Sequence, residues 1–302
     1  MIKRISCLFL CLLLICSIWA QQVIAAGNEV EVPATTDHIP VEEQSAEEQT
    51  VEEQAVEVES VVPALYVDGK IVERSGLLYR EGIPYVSIRY VASAFCPDAV
   101  VTWTGEYATI TTDKLSIVVH PDHNYVIAND RYLYMPEGAV LKSGVLRIPA
   151  EMIARIFCAE YSLDSETMNV FLTSGTETLV SGDEFYDKDD LYWLSHIIYA
   201  ESGNQPLEGK IAVGNVVMNR AANPIFPNSI YGVIFQKNQF SPVKNGTINL
   251  TPNEESVLAA KLCLDGAVVL SDALWFNSAN RSSWASKHKT YITTIGGHAF
   301  YA

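Results

Sequence analysis

The chain has 302 residues, which is enough for two ordinary domains and additional segments. Its formal net charge is −16, yet residues 189–302 contain eight acidic and eight basic residues. A balanced segment lacks the basic stripe that nucleic-acid binding requires, so the sequence predicts no nucleic-acid partner. Three of the six cysteines lie in the first 16 residues, and the odd remainder argues against a disulfide scaffold.

Residues 1–25 are predicted to be a secretory signal peptide. Lys3 and Arg4 precede an apolar run, and Val-Ile-Ala at residues 23–25 provides a small-residue cleavage site. An uncleaved anchor is the alternative, although the apolar run is short for a membrane span. No second such run follows, so we expect a secreted, cell-wall-associated protein that has no membrane contact after cleavage.

Residues 26–62 form a low-complexity acidic segment. Residues 28–60 contain eleven acidic residues and no lysine or arginine, and they include the repeats V-E-E-Q, A-E-E-Q and V-E-E-Q. Such a segment has too little apolar surface to offset its ordering entropy, which predicts a disordered, extended linker. A charged helix is the alternative, since Glu, Gln and Ala favour helix.

Residues 63–174 contain an internal repeat, in which residues 84–96 parallel residues 146–158. Each copy predicts a short strand, a helix of about ten residues and a hairpin. Asp68-Gly69 predicts the turn of a further hairpin. The pattern resembles the N-terminal stalk domain of copper amine oxidases, which implies a small β-rich α+β domain. Its expected role is a folded spacer, or a module that binds the cell wall or another protein.

Two features of this module leave alternatives open. His120 and His123 are a close histidine pair, but no third ligand is nearby, so a metal site is the weaker interpretation. Cys96 and Cys158 occupy equivalent repeat positions at predicted helix ends. They either pair outside the cell or remain as two free thiols.

Residues 175–188 are polar and contain glycine, and they predict a linker to a last domain over residues 189–302. Asp189 or Asp190 is the expected N-cap of its first helix, in which apolar residues recur at helical spacing. Glu201 lies on the apolar face of this helix, and Gly203 is expected to end it. Burial and the negative end of the helix dipole both raise the pKa of a carboxyl group, as a general acid requires. An ion pair with a nearby Lys or Arg is the alternative.

Several ordered blocks in residues 189–302 resemble the cell wall hydrolase SleB family, which includes the spore cortex-lytic enzymes. They are Y-A-E-S-G-N-Q-P-L-E-G-K-I-A-V-G-N-V-V-M-N-R, F-P-N-S-I-Y-G-V-I-F-Q, Q-F-S-P-V and the terminal I-G-G-H-A-F-Y. The resemblance implies an α+β multidomain chain with a lysozyme-like catalytic domain at its C-terminus. It also implies cleavage of peptidoglycan glycan strands, in spore germination or in the vegetative wall, and a catalytic role for Glu201. At Asn204-Gln205 the chain departs from the Gly-Glu that is common in the family.

The remaining candidate site residues are polar or aromatic groups that suit a sugar. The family resemblance places Gln239, Phe240 and Ser241 near the catalytic Glu, and it places Asn277 in the substrate groove. Asn219 is expected either to contact sugar or to brace the cleft, and Phe240 is alternatively plain core. A structural hydrogen bond is the favoured role of His298.

The sequence offers no convincing second carboxylate, whereas inverting and retaining hydrolases normally need two. The resemblance therefore implies a lytic transglycosylase, in which Glu201 serves as acid and then as base while the substrate's own hydroxyl closes a 1,6-anhydro ring. No cofactor or metal is implied. The alternatives are an N-acetylmuramoyl-L-alanine amidase and a non-catalytic wall-binding protein.

Overall fold

The computed structural model describes residues 62–302. The predicted signal peptide and nearly all of the predicted acidic linker therefore lie outside the described residues. Residues 62–302 lie within one compact unit. Within residues 62–302, each helix is too short or too polar to cross a lipid bilayer.

The first part of this unit is rich in short strands, because alternating apolar residues let each strand bury one face. Ile117 and Val119 on one strand and Val126 and Ala128 on the next are fully buried. The elements are β1 Leu65–Val67, β2 Lys70–Ile71, β3 Leu78–Arg80, β4 Ile83–Ser87, α1 Ile88–Phe95, β5 Val100–Trp103, β6 Ala108–Thr111, β7 Ser116–Val119, β8 Tyr125–Ala128, β9 Arg131–Tyr134, β10 Val140–Lys142, β11 Val145–Pro149, α2 Ala150–Ile156, β12 Glu160–Leu163 and β13 Val170–Thr173.

These strands form three sheets. β5 to β9 make an antiparallel meander, while the other two sheets have the orders β12-β13-β1-β2 and β10-β11-β4-β3. The β1–β2 hairpin turns at Asp68-Gly69, where both residues have positive φ, as a type I′ turn requires. The predicted hairpin is confirmed.

The internal repeat appears as a pair of matching strand–helix–hairpin units. β4 and β11 are equivalent in the repeat and pair antiparallel with each other. Each leads into a short helix and then a hairpin, as the sequence predicts. Phe95 and Phe157, at equivalent positions, stack with ring centroids 4.7 Å apart. The adjacent Cys96 and Cys158 are half-buried free thiols, so the disulfide alternative is not formed.

The second part of the unit is mainly helical and ends in a three-stranded antiparallel sheet of order β14-β16-β15. The expected α+β class, with a β-rich module before a mixed C-terminal domain, is confirmed. The elements are α3 Gly182–Phe185, α4 Lys188–Ser202, α5 Leu207–Ala222, α6 Ile230–Ile234, α7 Ser241–Asn245, a 3₁₀ turn Thr247–Asn249, α8 Glu254–Leu264, β14 Trp275–Ser278, α9 Trp284–His288, β15 Tyr291–Ile295 and β16 His298–Tyr301.

Helices α4, α5 and α8 pack on one another and form the core of this domain. α5 is buried over most of its circumference, as its apolar sequence predicts. Gly214 allows the close approach, because a Cβ atom there would lie 2.5 Å from Cys263 Sγ and 3.1 Å from Ile198 Cδ1. The free Cys263 thus serves as a small buried hydrophobe at the helix contact.

The segment over residues 175–188, expected to be a linker, joins the two parts through a buried polar cluster. Its Tyr186 hydroxyl donates to Asp265, which ends α8, and accepts from Tyr132 N at 2.9 Å. Arg131 donates to Asp265 Oδ1 through Nε at 3.1 Å and Nη2 at 2.6 Å. Arg155 donates to the backbone oxygen of Asp265. Side chains from both parts of the chain therefore converge on one carboxylate.

Candidate active site

Glu201 lies one residue before the end of α4. The helix begins after Asp187, whose Oδ1 accepts from the N–H groups of Asp189 and Asp190 at 3.0 Å each. The predicted N-cap at Asp189 or Asp190 is therefore corrected to Asp187, and those two residues occupy the first turn. Gly203 ends the helix as expected, since a Cβ atom there would lie 2.7 Å from Tyr199 O.

The carboxyl group of Glu201 is half-buried and forms no ion pair within residues 62–302. Burial raises its pKa from 4.5 to about 7. This is the situation that a general acid requires, because a substantial fraction of the group remains protonated at neutral pH. The alternative interpretation, a carboxylate paired with Lys or Arg, does not describe this side chain.

Two cavities meet at Glu201, and Ser241 also lines both. The first has a volume of about 430 Å³ and the second about 570 Å³. The first is lined by Glu201, Arg220, Gln239, Phe240, Ser241, Phe276, Asn277, Ser278, Arg281 and His298. The second is lined by Tyr199, Ala200, Glu201, Gly203, Asn204, Ser241, Pro242, Asn245, Thr247, Leu250 and Asn253. A cleft therefore extends to both sides of the carboxyl group.

Four of the five other predicted site residues lie with Glu201 in the first cavity, namely Gln239, Phe240, Ser241 and Asn277. Phe240 also packs in the core of the domain, being 6% exposed, as its alternative interpretation as a core residue expects. The placement brings these side chains within one site, and their contact with substrate stays a prediction.

Asn219 does not line either cavity. Its Nδ2 donates to Leu270 O and Ala273 O, both at 3.0 Å. The neighbouring Asn215 accepts from Leu270 N at 3.1 Å and donates to Ala267 O at 2.7 Å. Both amides hold the segment after α8 against α5, because buried polar groups need such partners. These contacts agree with the bracing role of Asn219, and its contact with substrate stays a prediction.

Arg220 fixes the orientation of Gln239. Its Nη1 donates to Gln239 Oε1 at 3.3 Å, and its Nε donates to Leu274 O at 2.7 Å. Because a guanidinium can only donate, the carbonyl side of the Gln239 amide faces Arg220. The amide nitrogen of Gln239 remains as a donor for a carbonyl oxygen such as that of an N-acetyl group.

Asn277 organises the loop that follows β14. Its Oδ1 accepts from the Ser283 hydroxyl at 2.6 Å, and its Nδ2 donates to Ser278 O at 2.8 Å and Arg281 O at 3.2 Å. The amide is therefore engaged on both sides within the protein. Asn277 and Arg281 both line the first cavity, and the hydrogen bond to Arg281 O fixes the backbone of Arg281 there.

His298 lines the first cavity from β16, whereas its predicted role is a structural hydrogen bond. Its Nδ1 is buried and has no hydrogen-bond partner in the part of the chain that the structure describes. Burial lowers the pKa of His298, so the ring is neutral at neutral pH. The ring packs edge-on against Phe276 at 5.3 Å. The structure thus adds a neutral imidazole to the cleft in place of the expected hydrogen bond.

Sequence reasoning missed Arg220 and Arg281, and it left His298 outside the site. Arg220 lies in the last turn of α5, Arg281 lies in a polar loop and His298 begins the last strand. Only the folded chain brings these separate segments together. Within residues 62–302, no group of three or more His, Cys, Asp or Glu side chains is arranged to hold a metal ion.

Two protein families match separate parts of the chain. Residues 204–301 match the cell wall hydrolase family, and residues 66–172 match the copper amine oxidase N-terminal domain. The two resemblances seen in the sequence are confirmed. The first match begins just after Glu201, so the assignment of this residue depends on the geometry of the cleft and on the motif around it.

The curated relatives are spore cortex-lytic enzymes. The chain is 34% identical over 116 residues to that of Bacillus cereus, covering 38% of this chain and 45% of the relative. The corresponding enzyme of Bacillus subtilis is 34% identical over 116 residues, covering 38% of each chain. That of Oceanobacillus iheyensis is 32% identical over 129 residues, covering 42% of this chain and 46% of the relative. The chain thus spans less than half the length of these relatives.

The catalytic domains of two SleB proteins are among the solved structures that resemble part of the chain. The catalytic domain of the Bacillus cereus SleB protein is 32% identical, with 39% of this chain and 92% of that chain covered and a TM-score of 0.37. The catalytic domain of the germination-specific lytic transglycosylase SleB from Bacillus anthracis is 31% identical, with 41% and 100% covered and a TM-score of 0.37.

Proposed function

We propose that this protein cleaves the glycan strands of peptidoglycan as a lytic transglycosylase, with Glu201 as its single catalytic acid and base. The observation that carries the proposal is the composition of the cleft. Among the described residues that line the two cavities, Glu201 is the only carboxylic acid. Inverting and retaining hydrolases normally use two carboxyl groups placed about 5–9.5 Å apart. One carboxyl group suffices when the substrate supplies the nucleophile.

The reaction then balances without water. Protonated Glu201 donates its proton to the oxygen that links N-acetylmuramic acid to N-acetylglucosamine, and the bond from that oxygen to the muramic C1 breaks. The C6 hydroxyl of the same muramic residue forms a new bond to C1 and returns its proton to Glu201. The products are a 1,6-anhydro-muramyl end and a free N-acetylglucosamine 4-hydroxyl, and Glu201 is protonated again.

The surrounding side chains support this role for Glu201. The amide nitrogen of Gln239 is left free to donate, and Phe240 and Phe276 present apolar surface to a sugar ring. The first module is proposed to bind the wall or a second protein, which would keep the cleft near its polymer. The proposed location is the cell wall, outside the cytoplasmic membrane.

The test is mass spectrometry of products from purified peptidoglycan, from both spore cortex and vegetative wall, digested with the mature protein. Glu201→Gln is the matched control, because it keeps shape and removes the acid. We expect anhydro-muramyl ends that disappear in the control. Reducing ends would indicate ordinary hydrolysis, and released stem peptides would indicate an amidase. Absence of products from both walls would favour a non-catalytic binding protein.

A further inference from the structure

The first cavity beside Glu201 contains a buried cation without a carboxylate partner. Arg220 is 5% exposed, and the ion pairs found within residues 62–302 involve other side chains. Its two hydrogen bonds go to neutral oxygens, Leu274 O and Gln239 Oε1. Burying a guanidinium is costly unless an anion compensates it, so a site of this kind favours an anionic ligand.

A second arginine lines the same cavity. Arg281 lies on the exposed loop after β14, and Asn277 Nδ2 donates to its carbonyl oxygen at 3.2 Å. Glu201 does not serve as counter-ion to either arginine, since it pairs with neither and burial is the one cause of its pKa shift. This side of the cleft therefore has two arginines and one acid that forms an ion pair with neither of them.

The other side of Glu201 is different in charge. No lysine or arginine is among the side chains that line the second cavity, and its polar groups are neutral amides and hydroxyls apart from Glu201 itself. A polymer bound across Glu201 would therefore meet a cationic surface on one side of the reacting bond and a neutral surface on the other.

We propose that Arg220 and Arg281 form a carboxylate-binding subsite that fixes which sugar lies on each side of Glu201. The inference rests on the proposed cleavage of peptidoglycan and extends it. The glycan alternates muramic acid, which carries a carboxylate on its lactyl group or on the stem peptide attached there, with N-acetylglucosamine, which is neutral. The cationic side takes the muramic residue and the neutral side takes N-acetylglucosamine. A shift of one sugar would place the carboxylate against the neutral cavity, so the subsite selects one of the two glycosidic linkages.

The carboxylate has two possible sources, and four sets of strands distinguish them. Strands stripped of stem peptides carry free lactyl carboxylates, whereas peptide-bearing strands carry carboxylates only on the peptide. Each is compared with the same strands after conversion of the carboxylates to methylamides. On each strand preparation, kcat/KM is measured for four proteins: the wild type, Arg281→Gln, Arg220→Lys and the control Lys237→Gln. Lys237 is exposed and lines neither cavity, and its replacement removes the same charge as Arg281→Gln.

We expect the wild type to prefer carboxylate-bearing strands over methylamide strands by about tenfold, the ratio that one good charge-assisted hydrogen bond supports. Arg281→Gln and Arg220→Lys should each reduce this ratio at least threefold, while Lys237→Gln leaves it unchanged. A preference seen with stripped strands assigns the lactyl carboxylate, and one seen only with peptide-bearing strands assigns the stem peptide.

Equal rates on carboxylate and methylamide strands would overturn the subsite while leaving the glycan cleavage intact. A preference that persists in both arginine variants would overturn it as well. Arg281→Gln keeps the test decisive if Arg220→Lys unfolds, because Arg281 is an exposed loop residue. Failure of the wild type to cleave any strand would instead remove the proposed function, and the subsite with it.

Discussion

The carboxyl group of Glu201 has a raised pKa because it is buried near the C-terminal end of α4. Burial raises its pKa to about 7, and no ion pair within the described range opposes the shift. A group that must donate a proton is active only in its protonated form. We therefore expect the alkaline limb of the pH–rate profile to begin at about pH 7. Above that pH, kcat/KM on purified peptidoglycan should fall tenfold per pH unit.

A pH–rate profile measured from pH 5 to pH 9 checks this expectation. Substrate carboxylates titrate well below the predicted limb, so they do not obscure it. A limb centred near the ordinary Glu value of 4.5 would contradict the role of Glu201 as a buried acid.

The same pKa shift predicts an effect on stability. Because the folded-state pKa lies above the unfolded one, burial of Glu201 is tolerated at low pH, where the group is protonated in both states. The free energy of unfolding then decreases as pH rises from 4.5 to about 7, by on the order of 2–3 kcal/mol. Glu201→Gln should remove this decrease in the free energy of unfolding, because glutamine does not ionise.

Thermal unfolding of both proteins at pH 5 and pH 8 measures the effect. The variant should unfold at a clearly higher temperature than the wild type at pH 8 and show a much smaller difference at pH 5. A variant that is less stable than the wild type at pH 8 would show that the ionised carboxylate has stabilising partners in the cleft, which contradicts the prediction.

At the scale of elements, the contact between α5 and α8 depends on the missing side chain at Gly214. A methyl group there would meet Cys263 Sγ at 2.5 Å. We expect Gly214→Ala to lower the free energy of unfolding by about 1–3 kcal/mol, the usual cost of overpacking a core. Addition of Cys263→Ala should restore part of the loss, because it removes the sulfur atom.

Denaturant unfolding of the single and double variants measures this coupling. Gly209→Ala on the same helix is the comparison variant and should cost less, since its new Cβ would lie 3.3 Å from Gln205 Cβ, a tight contact that a small shift relieves. Additive losses in the double variant would contradict direct contact between the two positions.

The sequence predicted those elements whose signals are local. The Asp68-Gly69 turn, the repeated strand–helix–hairpin units and the helix that carries Glu201 follow from turn chemistry and apolar spacing. The N-cap was misplaced because three aspartates occur within four residues and each could cap the helix. The cationic side of the cleft could not be predicted, since Arg220 and Arg281 come from distant segments that only tertiary packing brings together.

At the scale of the whole molecule, Asp265 holds together the β-rich module and the C-terminal domain. Its side chain is fully buried and pairs with Arg131 at 2.6 Å and Arg155 at 3.7 Å. Burial, followed by the hydrogen bond to Asp265, raises the pKa of Tyr186, so this phenol remains a neutral donor. Removal of the charge from Asp265 would leave two guanidinium groups without their shared anion.

We expect Asp265→Asn to lower the free energy of unfolding by about 3 kcal/mol, as for other buried charge pairs that lose one partner. Differential scanning calorimetry of the wild type and the variant tests this expectation, with Asp272→Asn at an exposed position as control. The control should change the free energy of unfolding by less than about 0.5 kcal/mol. Equal effects of the two substitutions would contradict a structural role for the cluster.

The cleft continues past Glu201 in both directions, which determines whether strands are cut at their ends or along their length. A catalyst that closes over a chain end shortens strands one unit at a time and releases small fragments from the start. A groove open on both sides accepts a strand laterally, at any point along its length. We therefore expect average strand length to collapse early in digestion, and the turbidity of a sacculus suspension to fall while few disaccharide units are yet soluble.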